Sequence, residues 1–527
     1  MRFTKKALVW AMISVFAFSM VLTGCGSNNN KTSATETKET ASQPASTTEA
    51  ATETASEPEQ EKLAPVELNW YLPAAPQKDT KLVEKALNDY LKDKINATVH
   101  LNFVDWGSWK DKFPVLLASG SNVDIMFTAG WSQFPQSVAK GYFADITDLL
   151  PKYAPKTVEN LPKVLFEGAR VAGKIYAIPT SKEIAHTNGF AYSTELAKQY
   201  GLEDQLKAFQ TKIPTLEDLE PILATVKAKD PNVSPLGGVY NMNFAMTFLD
   251  FDPVGDQNIP GMLYKNKDTV VVNEYETPEY KEIFKTMHKY YKAGYVRKDA
   301  AIVKDGAPDR KGKKVFLLGG TTKPLANEEV GASYGFPLEQ FSITTPFITS
   351  NDTQGSMNAV VSSSKNPERA LMFLELVNTD PIVNNILNYG VEGTHFVRTD
   401  VDNVIDFAPG LTGQNSGYFP NAFWEFGNQF LNHFTKGQNT KKWDLFKEYN
   451  DSGVPSKILG FNFDAEPVKT EIAAVANVRD ELLPSIATGT VDPEVFLPKF
   501  NARMKQAGLD KIIAEKQKQI DAWLLTK

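Results

Sequence analysis

The sequence predicts an α/β protein of two or more lobes, carried behind an export signal and a polar tether. Three observations lead there. Strand-type and helix-type hydrophobic periods alternate from residue 66 onward. About 465 residues follow the tether, too many for one hydrophobic core. The only cysteine of the 527 residues, Cys25, separates an apolar run from a polar one.

The alternation begins with Val66, Leu68, Trp70 and Leu72 on one face of a strand. Leu82, Val83, Ala86, Leu87, Tyr90 and Leu91 then recur at helical spacing within 78–95. Val99, Leu101 and Phe103 alternate again, 109–119 reads as a helix, and VDIMFT, 123–128, as a short buried strand. This order indicates βαβ units and a mostly parallel sheet. AGKIYAIPT, 172–180, reads as a turn and a strand. Helices are expected within 213–231 and 277–296, and 312–324 reads as a strand ending in a Gly-Gly loop. Asn366-Pro367 and Asp380-Pro381 each set a capping residue before a proline at the first helical position. The first of these helices buries Ala370, Leu371, Phe373, Leu374 and Val377. Three amphipathic helices fill 466–525, and no internal repeat is present.

Arg2, Lys5 and Lys6 precede an uncharged run from Ala7 to Leu22, the form of a secretory signal rather than a spanning helix. Leu22-Thr23-Gly24-Cys25 resembles the lipobox of bacterial lipoproteins. The resemblance implies cleavage after residue 24 and a diacylglycerol, with a palmitate-type chain on the amine, at Cys25. Residues 26–62 lack Leu, Ile, Val, Met, Phe, Trp and Tyr, so they cannot bury enough apolar area to order themselves. They are expected to tether the folded body to the lipid. Formal net charge is −7 with no basic stripe, which argues against nucleic-acid binding, and no second long apolar segment appears.

Several segments, in order, are similar to the extracellular solute-binding proteins of ABC importers. They are NVDIMFTAGW (122–131), KGYFADITDLLPKY (140–153), GKIYAIPTS (173–181), AYSTELAKQYGL followed by IPTLEDLEPIL, and the helix pair of 362–393. NYGVEG and FWEFGNQF resemble a Gram-positive lipoprotein subfamily with a C-terminal domain of unknown function. The resemblance implies a two-lobe periplasmic-binding-protein type II fold, with a ligand cleft between lobes joined by hinge segments. It implies one lobe from 65–182 plus about 345–394 and another from about 183–344 plus 395–527. It also implies a monomer, lipid-anchored on the outer face of the membrane of a Gram-positive bacterium. That monomer would pass an oligosaccharide to ABC permease subunits, with no cofactor, no metal and no catalytic residue.

A sugar presents an apolar C–H face to aromatic rings and a rim of hydroxyls to polar side chains. In open α/β sheets ligands sit beyond the carboxyl ends of strands. Trp131, just after VDIMFT, is therefore the first candidate contact. Trp106 lies beside Gly107-Ser108 and Trp109, Tyr240 and Asn241 lie in a loop-rich stretch, and Glu392 follows the Tyr389-Gly390 turn. Trp424 and Asn428, with Glu425 between them, complete the set. Trp70, Trp443 and Trp523 read as packing residues.

Enzyme motifs are weak. Gly331-Ala332-Ser333-Tyr334-Gly335 has the spacing of a nucleophile elbow but reads as a loop without a buried strand before it. Lys311-Gly312-Lys313 after Gly306 mimics a phosphate-binding loop with the wrong spacing. The five histidines are scattered, and Asp250, Asp252 and Asp256 lack a full calcium loop. A secreted glycosidase, which needs only two carboxylates, is the competing enzyme reading. An adhesive surface lipoprotein and a receptor for peptides or another solute compete with it outside the enzyme classes.

Overall fold

The computed structural model describes residues 63–120, 122–237, 251–265, 267–303 and 311–527. The export signal, Cys25 and the tether lie outside them, as do Tyr240 and Asn241. Two hydrophobic cores alternate along the chain. Core residues from Leu68 to Ala185 belong to the first, and those from Phe190 to Phe341 to the second, apart from Val254, Leu263 and Val271, which form a smaller cluster with Ile458, Phe461 and Ile520. Those from Ile348 to Leu387, with Ala422 and Phe426, return to the first, and those from Val468 to Ile512 return to the second; Tyr389, Phe396 and Ile405 form a small cluster of their own, as do Val404, Phe434, Trp443 and Phe446. The chain therefore passes between the cores three times, within 185–190, 341–348 and 426–468.

The first core wraps a five-stranded sheet. Its strands are β1 (Val66–Pro73), β2 (Ala97–Val104), β3 (Ile125–Thr128), β4 (Ile178–Pro179) and a late strand, Met357–Val360. The order is β2-β1-β3-late strand-β4. β1 pairs in parallel with β2 and β3, as the βαβ pattern requires, and the helices Thr80–Ile95 and Trp106–Ser119 are the crossovers. The late strand returns antiparallel to both β3 and β4. The sheet is thus mixed rather than mostly parallel, because its last member arrives from the second crossing and not from a βαβ unit.

The second core holds β5 (Thr187–Ser193), β6 (Ser234–Gly237) and two later strands, Val315–Thr322 and Leu338–Ser342. Only the pairing of β6 with Val315–Thr322 is parallel. The helix Pro278–Lys292 buries Tyr280, Ile283, Phe284, Met287 and Tyr290 on this side. The three C-terminal helices, Lys469–Ala487, Pro493–Gln506 and Leu509–Leu524, pack there too.

The two proline-led helices form as expected, over Pro367–Thr379 and Pro381–Tyr389. Asp380 accepts from Ile382 N, but the Asn366 side chain makes no cap bond. Ala370, Leu371, Phe373, Leu374 and Val377 are all fully buried. Two residues of the stretch 395–426, expected in the second lobe, pack in the first core. Ala422 and Phe426 complete the first core, and Tyr389 packs on Phe396, which belongs to a small sheet of Phe396–Arg398, Val404–Phe407 and Phe434–Thr435. The cause is the Asn-rich face of the helix Pro381–Tyr389. Asn384 donates to Phe426 O and Asn428 O, and Asn385 to Leu431 O, so the loop is held on the first lobe.

Candidate functional site

A cavity of about 1360 Å³ opens between the two cores, where the crossing segments pass. Its walls come from the approach to the first crossing (Lys182, Glu183) and the crossing itself (His186), the end of Val315–Thr322 (Thr321, Lys323), the segment 349–355, and the loop bearing Trp424 and Gln429.

The aromatic wall assembles three of the expected residues. Trp131 lies three residues past the carboxyl end of β3, and Trp106 two past the end of β2. Asp105 accepts from Gly107 N and so starts the helix Trp106–Ser119 at Trp106, three residues earlier than periodicity predicts. Trp424 arrives from the other side on the 421–430 loop. Trp106 stacks on Trp424 at 5.8 Å and lies 6.1 Å from Trp131, while Trp131 and Trp424 are 6.3 Å apart. Buried Phe127 supports both Trp131 and Trp424, at 5.8 and 5.6 Å. Trp131 remains 55% exposed and Trp106 45%. Rings of this size are normally more buried, so two of them held side by side and half open to solvent form a surface ready for a stacked ligand. Trp424 lines the cavity itself, and the other two extend its aromatic face.

The opposite wall is charged. Lys323 Nζ reaches Glu183 at 2.8 Å and Glu329 at 3.0 Å, and Lys442 Nζ reaches Glu329 at 3.0 Å. Lys182 Nζ lies 3.9 Å from Glu183. Burial alone would raise the Glu183 carboxyl, but the ammonium groups of Lys182 and Lys323 overcome it and hold the group down at about 2. Glu329 is also lowered, against its burial, by Lys323 and Lys442. Lys323 rises, because Glu183 and Glu329 outweigh its desolvation. His186 Nδ1 meets Asp352 at 2.9 Å, and Asp352 in turn accepts from Thr349 N. Behind this wall Asp252 is buried, accepts from Ser456 Oγ, and is pushed up to about 6 by desolvation.

The other expected contacts fall elsewhere. Glu392 is exposed and away from the cavity wall, with both oxygens 3.1 Å from Arg398 Nε. Asn428 spends its side chain on backbone, accepting from Phe430 N and donating to Asn378 O; its neighbour Gln429 lines the cavity instead. Glu425 is fully buried, and burial raises its carboxyl well above the usual range. Trp109 is core, donating to Ser132 Oγ, and Trp70, Trp443 and Trp523 pack as expected. Gly331–Gly335 is not a loop but the last turn of the helix Ala326–Tyr334, closed by left-handed Gly335. That is the wrong context for a nucleophile elbow. The charged wall is not among the sequence-based expectations. Its sequence signal is position alone, since Lys182-Glu183 directly follow the crossing motif IPTS and Lys323 directly follows a strand end.

Comparison with known proteins agrees with this architecture. Residues 74–382 match the family model described as bacterial extracellular solute-binding protein, and 457–525 match a domain of unknown function, DUF3502. A carbohydrate ABC transporter substrate-binding protein of Streptococcus pneumoniae serotype 4 is 31% identical, over 84% of this chain and 87% of its own. The crystal structure of an N-glycan transport solute binding protein from Streptococcus pneumoniae superposes with a TM-score of 0.77 at 28% identity, over 88% of this chain and 99% of that one. The same protein in complex with Man5GlcNAc, at the same identity and coverage, gives 0.64. A solute-binding protein of Bifidobacterium longum infantis, 17% identical, shares the fold with a TM-score of 0.59 over 87% of this chain and 99% of that one. With more than half of its length matched, the chain belongs to the bacterial extracellular solute-binding protein family.

Proposed function

We propose that the chain is the substrate-binding component of an ABC transporter, and that it captures an oligosaccharide in the cleft between its two lobes. The observation that carries this is the contiguous Trp106–Trp131–Trp424 surface at the edge of the cavity. Pyranose rings stack on such surfaces through their C–H faces. The volume favours several sugar units over one, since about 300 to 1,000 Å³ already holds a drug-sized ligand. The facing wall offers Lys, Glu, Gln and Asn groups to a hydroxyl rim. Its lysines 182, 323 and 442 are already paired with carboxylates, which favours a ligand without net charge. The relatives that transport carbohydrate and N-glycan support the same reading, and N-glycan fragments are the first class to test.

The ligand is bound and released unchanged. Glu183 and Glu329, two carboxylates that line the cavity, are held ionised between ammonium groups, and the raised carboxyls of Asp252 and Glu425 are buried outside the lining, where they do not supply the acid that glycoside cleavage requires. Cys25 carries the lipid that anchors the monomer on the outer face of the membrane, residues 26–62 act as its tether, and permease subunits receive the sugar. Among the described residues no helix is long and apolar enough to cross a membrane. The test is a titration with Man5GlcNAc and related oligosaccharides, followed by chromatography of the recovered ligand. Binding with intact sugar supports the proposal; cleavage, or binding of peptides alone, overturns it.

A further inference from the structure

Trp131 sits on a single short turn and Trp424 on an irregular loop, so neither is fixed by a ladder of its own. One short run, Gln354-Gly355-Ser356-Met357-Asn358, touches both. Gln354 O accepts from Gly130 N at 2.8 Å, and Gly355 O accepts from Trp131 Nε1 at 2.8 Å. Ser356 Oγ donates to Trp424 O at 2.5 Å, and Asn358 Nδ2 donates to Glu425 O at 2.9 Å. The same run holds the end of β4: Thr180 N donates to Ser356 O at 2.9 Å, and the Thr180 and Ser356 hydroxyls are 3.1 Å apart. Ser356 has one hydroxyl proton, and Trp424 O takes it. The Thr180 hydroxyl must therefore donate to Ser356 Oγ. Thr180 and Ser356 are 1% and 2% exposed, so water does not compete for these bonds.

We propose that Ser356 is a positioning residue for the tryptophan surface, and that the Thr180–Ser356–Trp424 relay ties the seat of Trp424 to the end of β4, on the approach to the first crossing. The inference rests on the reading that this surface meets the ligand. The rest of the loop is held independently. Asn358 takes Glu425 O, Asn384 takes Phe426 O and Asn428 O, and Ser181 O takes Gln429 N. Loss of the Ser356 hydroxyl therefore frees Trp424 locally and leaves its neighbours in place.

The experiment compares full-length wild type with Ser356→Ala, Thr180→Val and Trp424→Phe. The stacked Trp106–Trp424 pair gives an exciton couplet in far-ultraviolet circular dichroism, read without ligand. Trp424→Phe is expected to leave only the contribution of the Trp106–Trp131 pair, 6.1 Å apart; Ser356→Ala is expected to reduce the Trp424-dependent part by roughly half, and Thr180→Val by less, because two aromatic rings held at fixed geometry lose their coupling once one can turn. Titration with Man5GlcNAc is expected to show about five- to tenfold weaker binding for Ser356→Ala. A wild-type couplet and unchanged affinity in Ser356→Ala overturn the proposal, whatever happens to the melting temperature. If wild type fails to bind Man5GlcNAc and every other oligosaccharide, the carbohydrate reading falls, while the couplet still decides the positioning role.

Discussion

Replacing Glu183 with Gln removes one carboxylate from a wall where three lysines share two. Glu183 is held at about 2 against an ordinary 4.5, and its side chain is 15% exposed, so solvent screening is slight. A depression of that size corresponds to about 3 kcal/mol of stability at neutral pH. The sign follows from the direction of the shift. A carboxyl lowered on folding contributes fully above its unfolded value, and the contribution is lost as pH falls from about 4.5 toward about 2. Glu183→Gln is therefore expected to lower stability by about 3 kcal/mol at pH 7 and by much less at pH 3. With a melting entropy of about 2.1 cal/mol/K per residue, this is a drop of roughly 3 °C if the chain melts as one unit and roughly 6 °C if a single lobe melts alone. Calorimetric scans of residues 63–527 from pH 3 to 8 read both numbers. A deficit under about 0.5 kcal/mol at pH 7, the range of ordinary surface changes, would refute the paired-wall account; so would a deficit that stays constant down to pH 3.

Further consequences reach different parts of the cleft. Trp424→Ala should weaken oligosaccharide binding by about tenfold or more in a calorimetric titration, as removal of a central aromatic contact does elsewhere. Glu392→Gln, which touches only Arg398, should change affinity less than about twofold, and a larger loss would return Glu392 to the binding surface. Asp252 is raised on folding to about 6, so its ionisation opposes folding as pH climbs from about 4 to 6. Asp252→Asn should therefore melt above wild type at pH 8, with the gap roughly halved at pH 5 and closed near pH 4. Cys25→Ala should release the protein from membranes into the medium, measured by fractionation and lipid labelling; a variant that stays membrane-bound argues against the anchor.

Much of the fold can be read from periodicity because burial leaves a regular trace. Val66–Pro73 alternates since one strand face meets helices, and the helix Pro367–Thr379 buries the five residues its spacing marks. Strand direction leaves no such trace. The antiparallel return of Met357–Val360 depends on a hinge crossing, and nothing in MNAV distinguishes parallel from antiparallel. The packing of Ala422 and Phe426 in the first core is not visible in the sequence for a related reason. Their place is decided by asparagine side chains of a preceding helix, and asparagine in a sequence looks like loop. The aromatic wall is legible because strand ends and ligand sites coincide in open α/β sheets. The charged wall is not, because Lys182, Glu183, Lys323, Glu329 and Lys442 converge only through tertiary contact. In the 421–430 loop Trp424 and Gln429 line the cavity, whereas the Asn428 side chain bonds backbone, a difference the motif does not reveal.

The most direct measurement is a thermal-shift and calorimetric titration of residues 63–527 against oligosaccharides, monosaccharides and peptides, run beside Trp131→Ala and Trp424→Ala. A ligand at 100 times its dissociation constant stabilises the folded state by about 2.7 kcal/mol. The expected result is a shift with an oligosaccharide, reduced in both tryptophan variants. A shift with peptides alone, or an oligosaccharide shift that neither variant weakens, would contradict the assignment of the tryptophan-lined cleft to sugar.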